Sequence, residues 1–367
     1  MLLDFTSALY LGMRHGSRSL EPWGRLTAGK PAALSEPRVA GHLARALAAL
    51  QGCERATLAP STLHLFWDLF GVLSDGPLAI YMDSGTYPIA RWGIERAAAR
   101  GVPVRGFRHH DPEDLHRLLR QGGARRGRPV VVTDGFCPAC GRGAPLADYL
   151  RPVRERDGHL VIDDTQAAGI FGQSPGADAP YGRGGGGMLR WHNLKDSHAL
   201  VVTSLAKGFG VPVAALAGAG RLVDFYEERS QTRVHCSPPS NATLHALKHA
   251  LKLNGERGDA LRLRLARTVR HFRRRLAEVG LAAEGNLFPV QTLAAPAGLD
   301  AVSVHERLQE LGTQTVLHRP RAGQEPRLSF IITAAHTPAD IDAAVGALAS
   351  LTRAAAKTPE ASYGLRI

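Results

Sequence analysis

Cysteine is scarce in this 367-residue chain, and the four present, Cys53, Cys137, Cys140 and Cys236, are too few for a disulfide framework. Cys137 and Cys140 form one CxxC with no second CxxC beside it, a poor zinc site, so no metal is expected. Long apolar runs are also missing. None approaches the roughly 18 residues a membrane span needs, and the opening MLLDFTSALYLG lacks the basic region and cleavage site of a signal peptide. No membrane partner is expected, and a cytoplasmic location follows by default. Acidic residues are the minority, 33 against 45 Lys and Arg, for a net charge of +12. The arginines run along helical stretches such as HFRRRLAEVG (271–280) rather than forming a tail. Such a field concentrates anions, whether coenzyme A, an acidic carrier protein or nucleic acid, without choosing among them. An arginine-rich surface is the plainer reading, and no nucleic-acid partner is expected.

What is present is ordinary for a globular protein: 44% apolar and 21% charged residues, enough for one or two domains. Short apolar runs at 78–84, 102–107, 128–135, 158–164, 199–205 and 213–220 read as buried strands. Helical stretches at 87–100, 111–121 and 146–156 separate them. That alternation predicts an α/β fold, a three-layer α/β/α arrangement around a mostly parallel sheet, with ligands at the strands' carboxyl ends. Two amphipathic helices, 242–255 and 257–280, and an α/β tail ending in a helix over 338–355 follow. A large domain is expected over 46–256, with a smaller α/β domain made from 1–45 and 257–367. Residues 171–193, with Gly184 to Gly187, carry no hydrophobic period and read as a loop, a flexible lid or an insertion rather than a phosphate cradle.

The chemistry centres on two segments. LVIDDTQAAGIFG (160–172) ends a strand in Asp163 and Asp164, whose side chains must point to opposite faces of the sheet. VVTSLAKGFG (201–210) leads a second strand to the isolated Lys207. A carboxylate that keeps a pyridine nitrogen protonated, with a desolvated lysine able to form a Schiff base, is what pyridoxal 5'-phosphate (PLP) chemistry requires. The plain alternatives are a carboxylate capping a turn and a lysine snorkelling from a strand end. Ser204 and Thr203 offer hydroxyls to a phosphate. Pro60-Ser61-Thr62 opens a helix after a strand, which suits an anion or a simple cap. His64, His192, His235 and His336 lie near these segments, each more often structural than catalytic, and His336 is the first to examine.

Five segments, DFTSALYLGM (4–13), TDGFCPACGRGAPL (133–146), LVIDDTQAAGIFG, VVTSLAKGFGVPVAALAG (201–218) and PRLSFIITAAHTPADID (326–342), resemble the α-oxoamine synthases in order and approximate spacing. The resemblance covers nearly the whole chain. It implies the PLP-dependent transferase fold type I, a homodimer with a shared active site, and condensation of an amino acid with an acyl thioester on coenzyme A or an acyl carrier protein, usually with decarboxylation. It makes Lys207 the Schiff-base lysine and the proton carrier at Cα, and Asp163 the pyridinium partner. Thr165 would pack on the inner ring face, Gln166 would sit by the phenolic oxygen, and Tyr87 would stack on the outer face. Ser61, Thr62, Ser204 and Ser237 of the partner subunit would hold the phosphate, and Arg327 the substrate carboxylate, for which a planar fork is suited.

Departures from the family pattern bear on the reaction. Gln166 and Tyr87 replace two histidines, Ala8 stands where asparagine is usual and Pro138 where serine is usual. Gln166 can hydrogen-bond but not titrate near neutrality, and Tyr87 can stack but not shuttle protons there. A PLP-dependent aminotransferase, or another enzyme that transforms Cα without an acyl donor, is therefore the alternative, and a non-catalytic subunit that keeps the fold is the third reading.

Overall fold

A computed structural model describes residues 2–74, 76–122, 127–294, 300–318 and 325–357, the last five by backbone alone. The chain divides into two compact units, one of Met1–Tyr10, Pro138–Gly141 and Arg264–Ile367, the other of Leu11–Cys137 and Arg142–Leu263.

The larger unit is built on a seven-stranded sheet in the order Arg55–Ala59, Ala214–Gly218, Ala199–Ser204, His159–Asp163, Arg128–Asp134, Leu78–Asp83, Val104–Phe107. Only Ala214–Gly218 runs against its neighbours; the rest are parallel. The central strands are buried along their length, which is why they read as unbroken apolar runs. Val104–Phe107 departs from the expectation of a buried strand. It is an edge strand with only Phe107 buried, since among the described residues one of its sides has no neighbouring strand. Helices Thr62–Leu73 and Pro88–Ala98 pack Leu65, Phe66, Leu69, Ile94 and Ala97 into a core with Ile80, Val130, Val132 and Val202.

The two helices expected over 242–255 and 257–280 are one continuous helix, Asn241–Glu278. A glycine inside a helix costs only about 1 kcal/mol relative to alanine, and at this turn side-chain bonding holds the helix together. Buried Arg262 donates to Asn254 Oδ1 (2.9 Å), to Asp259 Oδ1 (2.6 Å) and to the Gly169 carbonyl (2.8 Å).

The glycine-rich stretch is closely packed where a flexible lid was expected. Gly185, Gly186 and Gly187 are buried, and the segment is tied by Gly169 N–H to Gly185 O, Gly187 N–H to Phe171 O and Asn254 Nδ2 to Gly184 O. At Gly187, φ is +87° and a Cβ would lie 1.8 Å from Asp164 Oδ2, so no other residue fits without displacement. Sequence composition showed the glycines but not that backbone elsewhere presses against them.

The smaller unit carries a four-stranded antiparallel sheet in the order Ala283–Glu284, Val290–Leu293, Arg327–Ile331, Val316–His318, and a short parallel pair, Leu3–Asp4 with Thr313–Gln314. Helices Ala301–Glu310 and Pro338–Lys357 belong to the same unit. No described helix is long and apolar enough to cross a membrane.

Candidate active site

Sheet register gathers the chemistry at one edge. Ala59 and Ser204 both pair with Ala214, Asp163 pairs with Val202, and Asp134 pairs with Asp163. The strands Arg55–Ala59, Ala199–Ser204, His159–Asp163, Arg128–Asp134 and Leu78–Asp83 therefore all end on the same side, where loops are free to carry functional groups.

Alternation along the strand separates the two neighbouring aspartates, as their sequence requires. Asp163 accepts the Thr165 backbone N–H (3.0 Å) and lies within the field of Lys207. Asp164 turns the other way and accepts the Met188 N–H (3.0 Å), capping the short helix Met188–Trp191. Burial holds Asp163 above the usual carboxylate range, against the pull of Thr165 and Lys207. Burial likewise pushes Asp164 up to about 8.

Lys207 sits three residues beyond the end of its strand, partly buried. Burial lowers its pKa, while Asp163 and Asp134 oppose that shift. Among the described residues its ammonium makes no hydrogen bond or ion pair; the Tyr87 ring has its centroid 5.9 Å from Nζ. Thr165 Oγ1 accepts the Ser204 N–H (2.9 Å), which stitches the acidic turn to the lysine strand. Gln166 follows in the same turn, partly buried.

Ser61 caps helix Thr62–Leu73 with an extended backbone, φ −156° and ψ 164°, yet its hydroxyl bonds His64 Nδ1 (2.9 Å) rather than a backbone amide. The first amides of that helix thus lack a side-chain cap, the condition in which a helix end suits an anion. Ser237 is exposed after the short helix Gln231–His235. Arg327 belongs to the smaller unit, where its guanidinium pairs with Glu284. His336, in the same unit, is structural: its ring stacks on Phe5 at 4.4 Å, Nε2 bonds the Asp4 carbonyl (3.0 Å) and Nδ1 accepts the Thr333 N–H (3.0 Å).

Two features escaped the sequence reading. Asp134 accepts the Tyr87 N–H (3.1 Å) and is pushed up to about 8, first by burial and then by the charge of Asp163. Asp83 accepts from Gly85 N–H (2.7 Å) and His110 N–H (3.0 Å), and its Oδ1 lies 2.7 Å from His109 Nδ1. The signal for both was available, because each acid ends a strand in the same way as Asp163.

The family model for aminotransferase class I and II matches residues 33–348. The chain belongs to that family. This aminotransferase class I and II chain is 30% identical over 356 residues to 8-amino-7-oxononanoate synthase of Sodalis glossinidius, a match spanning 94% of this chain and 87% of that protein. The same enzyme of Alkalilimnicola ehrlichii is 30% identical over 258 residues, 70% of this chain and 63% of the relative's own length. Among solved structures, serine palmitoyltransferase of Sphingomonas wittichii superposes with a TM-score of 0.80 at 18% identity, covering 96% of this chain and 88% of that one. The expected resemblance to α-oxoamine synthases and the fold-type-I transferase architecture are both borne out. The residues at the strands' carboxyl ends fit PLP, the cofactor of this fold: a desolvated amine with no hydrogen-bond or ion-pair partner among the described residues, a buried carboxyl within its field, and an aromatic ring beside it.

Proposed function

We propose that this protein is a PLP-dependent acyltransferase of the α-oxoamine synthase type, joining an amino acid to an acyl thioester with loss of the amino acid's carboxylate. The observation that carries the reading is the Lys207 amine, stripped of partners among the described residues, in the field of Asp163 and beneath the Tyr87 ring. Bound PLP supplies an electron sink for the pair released when a bond at the amino acid's Cα breaks. Asp163 keeps the pyridine nitrogen protonated. Its burial strengthens that interaction, because a buried charge opposite a cation is poorly screened. Lys207 would anchor the cofactor and, once released as an amine, take the Cα proton; burial moves its pKa down, the direction such a base needs.

In the same reading Thr165 supports the inner ring face, Tyr87 covers the outer face and Gln166 hydrogen-bonds the phenolic oxygen. Ser61, Thr62 and Ser204 hold the phosphate, joined by Ser237 across a homodimer, and Arg327 exchanges Glu284 for the substrate carboxylate. We place the enzyme in the cytoplasm. Aminoketone formation from a panel of amino acids and acyl thioesters is the test, and no product from any pair would remove the synthase assignment. Tyr87 and Gln166, in place of two histidines, favour transamination as the second reading. Conversion of the cofactor to its pyridoxamine form by an amino acid alone would select it.

A further inference from the structure

Between Arg264 and Ala277 the long helix carries six arginines and no acid. Two are engaged internally: Arg273 Nη1 donates to the Ala283 carbonyl (2.7 Å) and Gln291 Oε1 (2.8 Å), while Arg275 pairs with Glu278 and Asp342. The other four, Arg264, Arg267, Arg270 and Arg274, are exposed and line a cavity of about 690 Å³ together with His271 and His336. Both histidines are occupied, His271 Nε2 by Asp342 (2.9 Å) and His336 by Asp4 and Thr333. Arg274 reaches Glu278 at 3.8 Å. Arg264, Arg267 and Arg270 have no counter-ion among the described residues.

The arrangement discriminates between kinds of anion. Positions 264, 267, 271 and 274 share one helix face and stretch over roughly 15 Å at 1.5 Å per residue. A single phosphate would need donors that converge on one point, and these are strung in a row. Single-stranded nucleic acid would need aromatic platforms, and among the described residues no Phe, Tyr or Trp lines the cavity. A helix with carboxylates at i, i+3 or i+4 and i+7 repeats the same spacing, and opposite charges in register steer and orient such a contact.

We propose that this arginine-lined groove docks an acidic helix of a partner protein. Under the function proposed above, that partner is the acidic carrier bearing the acyl thioester; this identification rests on that reading, whereas the docking does not.

The test is fluorescence anisotropy with the full-length, cofactor-loaded protein. The probes are a labelled helical peptide with glutamates on one face and a peptide of the same composition with its glutamates scattered. The expected result is tighter binding of the one-faced peptide, weakening as salt is raised, and a loss of about tenfold or more in the double variant Arg264→Glu/Arg267→Glu. Far-UV circular dichroism and cofactor absorbance of the variant should match the parent. Equal binding by parent and variant, equal binding of the two peptides, or displacement by tripolyphosphate as readily as by unlabelled peptide would each overturn the proposal. Turnover separates the two readings. The variant should raise KM for a carrier-protein thioester and leave KM for the matching coenzyme A thioester unchanged. Peptide binding without turnover of either donor would sink the synthase reading and leave the docking groove standing.

Discussion

Asp134 and Asp163 stand opposite one another at the ends of neighbouring parallel strands, so two carboxyls share the ground beside Lys207. Asp134 is raised by burial and by its neighbour's charge, and two like charges this close resist ionising together. The proton therefore belongs to the pair. Replacing Asp134 by Asn keeps the acceptor for the Tyr87 N–H and removes the repulsion. Asp163 should then ionise at lower pH, visible as an acid shift in the pH dependence of cofactor absorbance, with kcat changed by less than about tenfold.

Lys207→Ala should abolish the imine absorbance with PLP and reduce turnover by at least about 10³-fold, the scale expected when a general base is removed. Mass spectrometry after borohydride reduction should find the cofactor covalently attached in the parent and absent from the variant. Attachment at another lysine would refute the assignment.

Asp163→Asn and Asp164→Asn should separate cleanly, because the two side chains face opposite ways. The first is expected to cost about 10²-fold or more in kcat through lost electrostatic stabilisation. Steady-state kinetics of the second should stay within about threefold of the parent, since its carboxyl serves Met188 rather than the lysine pocket.

Asp164 also sets a pH trend. Its folded pKa, about 8, exceeds the ordinary carboxyl value of 3.8, so the native state holds a proton that the unfolded chain releases. Stability contributed by that proton is present at low pH and is lost as pH rises toward 8. Asp164→Asn removes the loss. Thermal melts should show the variant gaining on the parent by about 3 °C or more between acid and mildly alkaline pH. A constant gap would contradict the assignment.

Gly187→Ala and Gly184→Ala test the packed glycine stretch. Both positions have positive φ, 87° and 82°, but a Cβ at 187 meets Asp164 Oδ2 whereas at 184 nothing lies within 4 Å. Denaturant melts should report about 1 kcal/mol of destabilisation at 184 and at least about 3 kcal/mol at 187.

Much of this was legible in the sequence for a physical reason. Buried parallel strands must be apolar throughout, so the run 199–205 announced its strand, and an amine just beyond it stood out. Asp163 and Asp164 were separable because pleating alone fixes their directions. Contacts between distant segments left no local trace: the register that sets Asp134 against Asp163, the backbone pressed on Gly186, and the bonds from Arg262 that carry one helix through 255–258.

The single antiparallel strand, Ala214–Gly218, lies between the strand that ends at Ala59 and the one that ends at Ser204, and pairs both through Ala214. Its two flanks are thus mechanically yoked. A one-residue deletion in the approach to Ala214 would slip both pairings together, so the hydroxyls near Ser61 and Ser204 would be lost as a set and could not be traded one at a time.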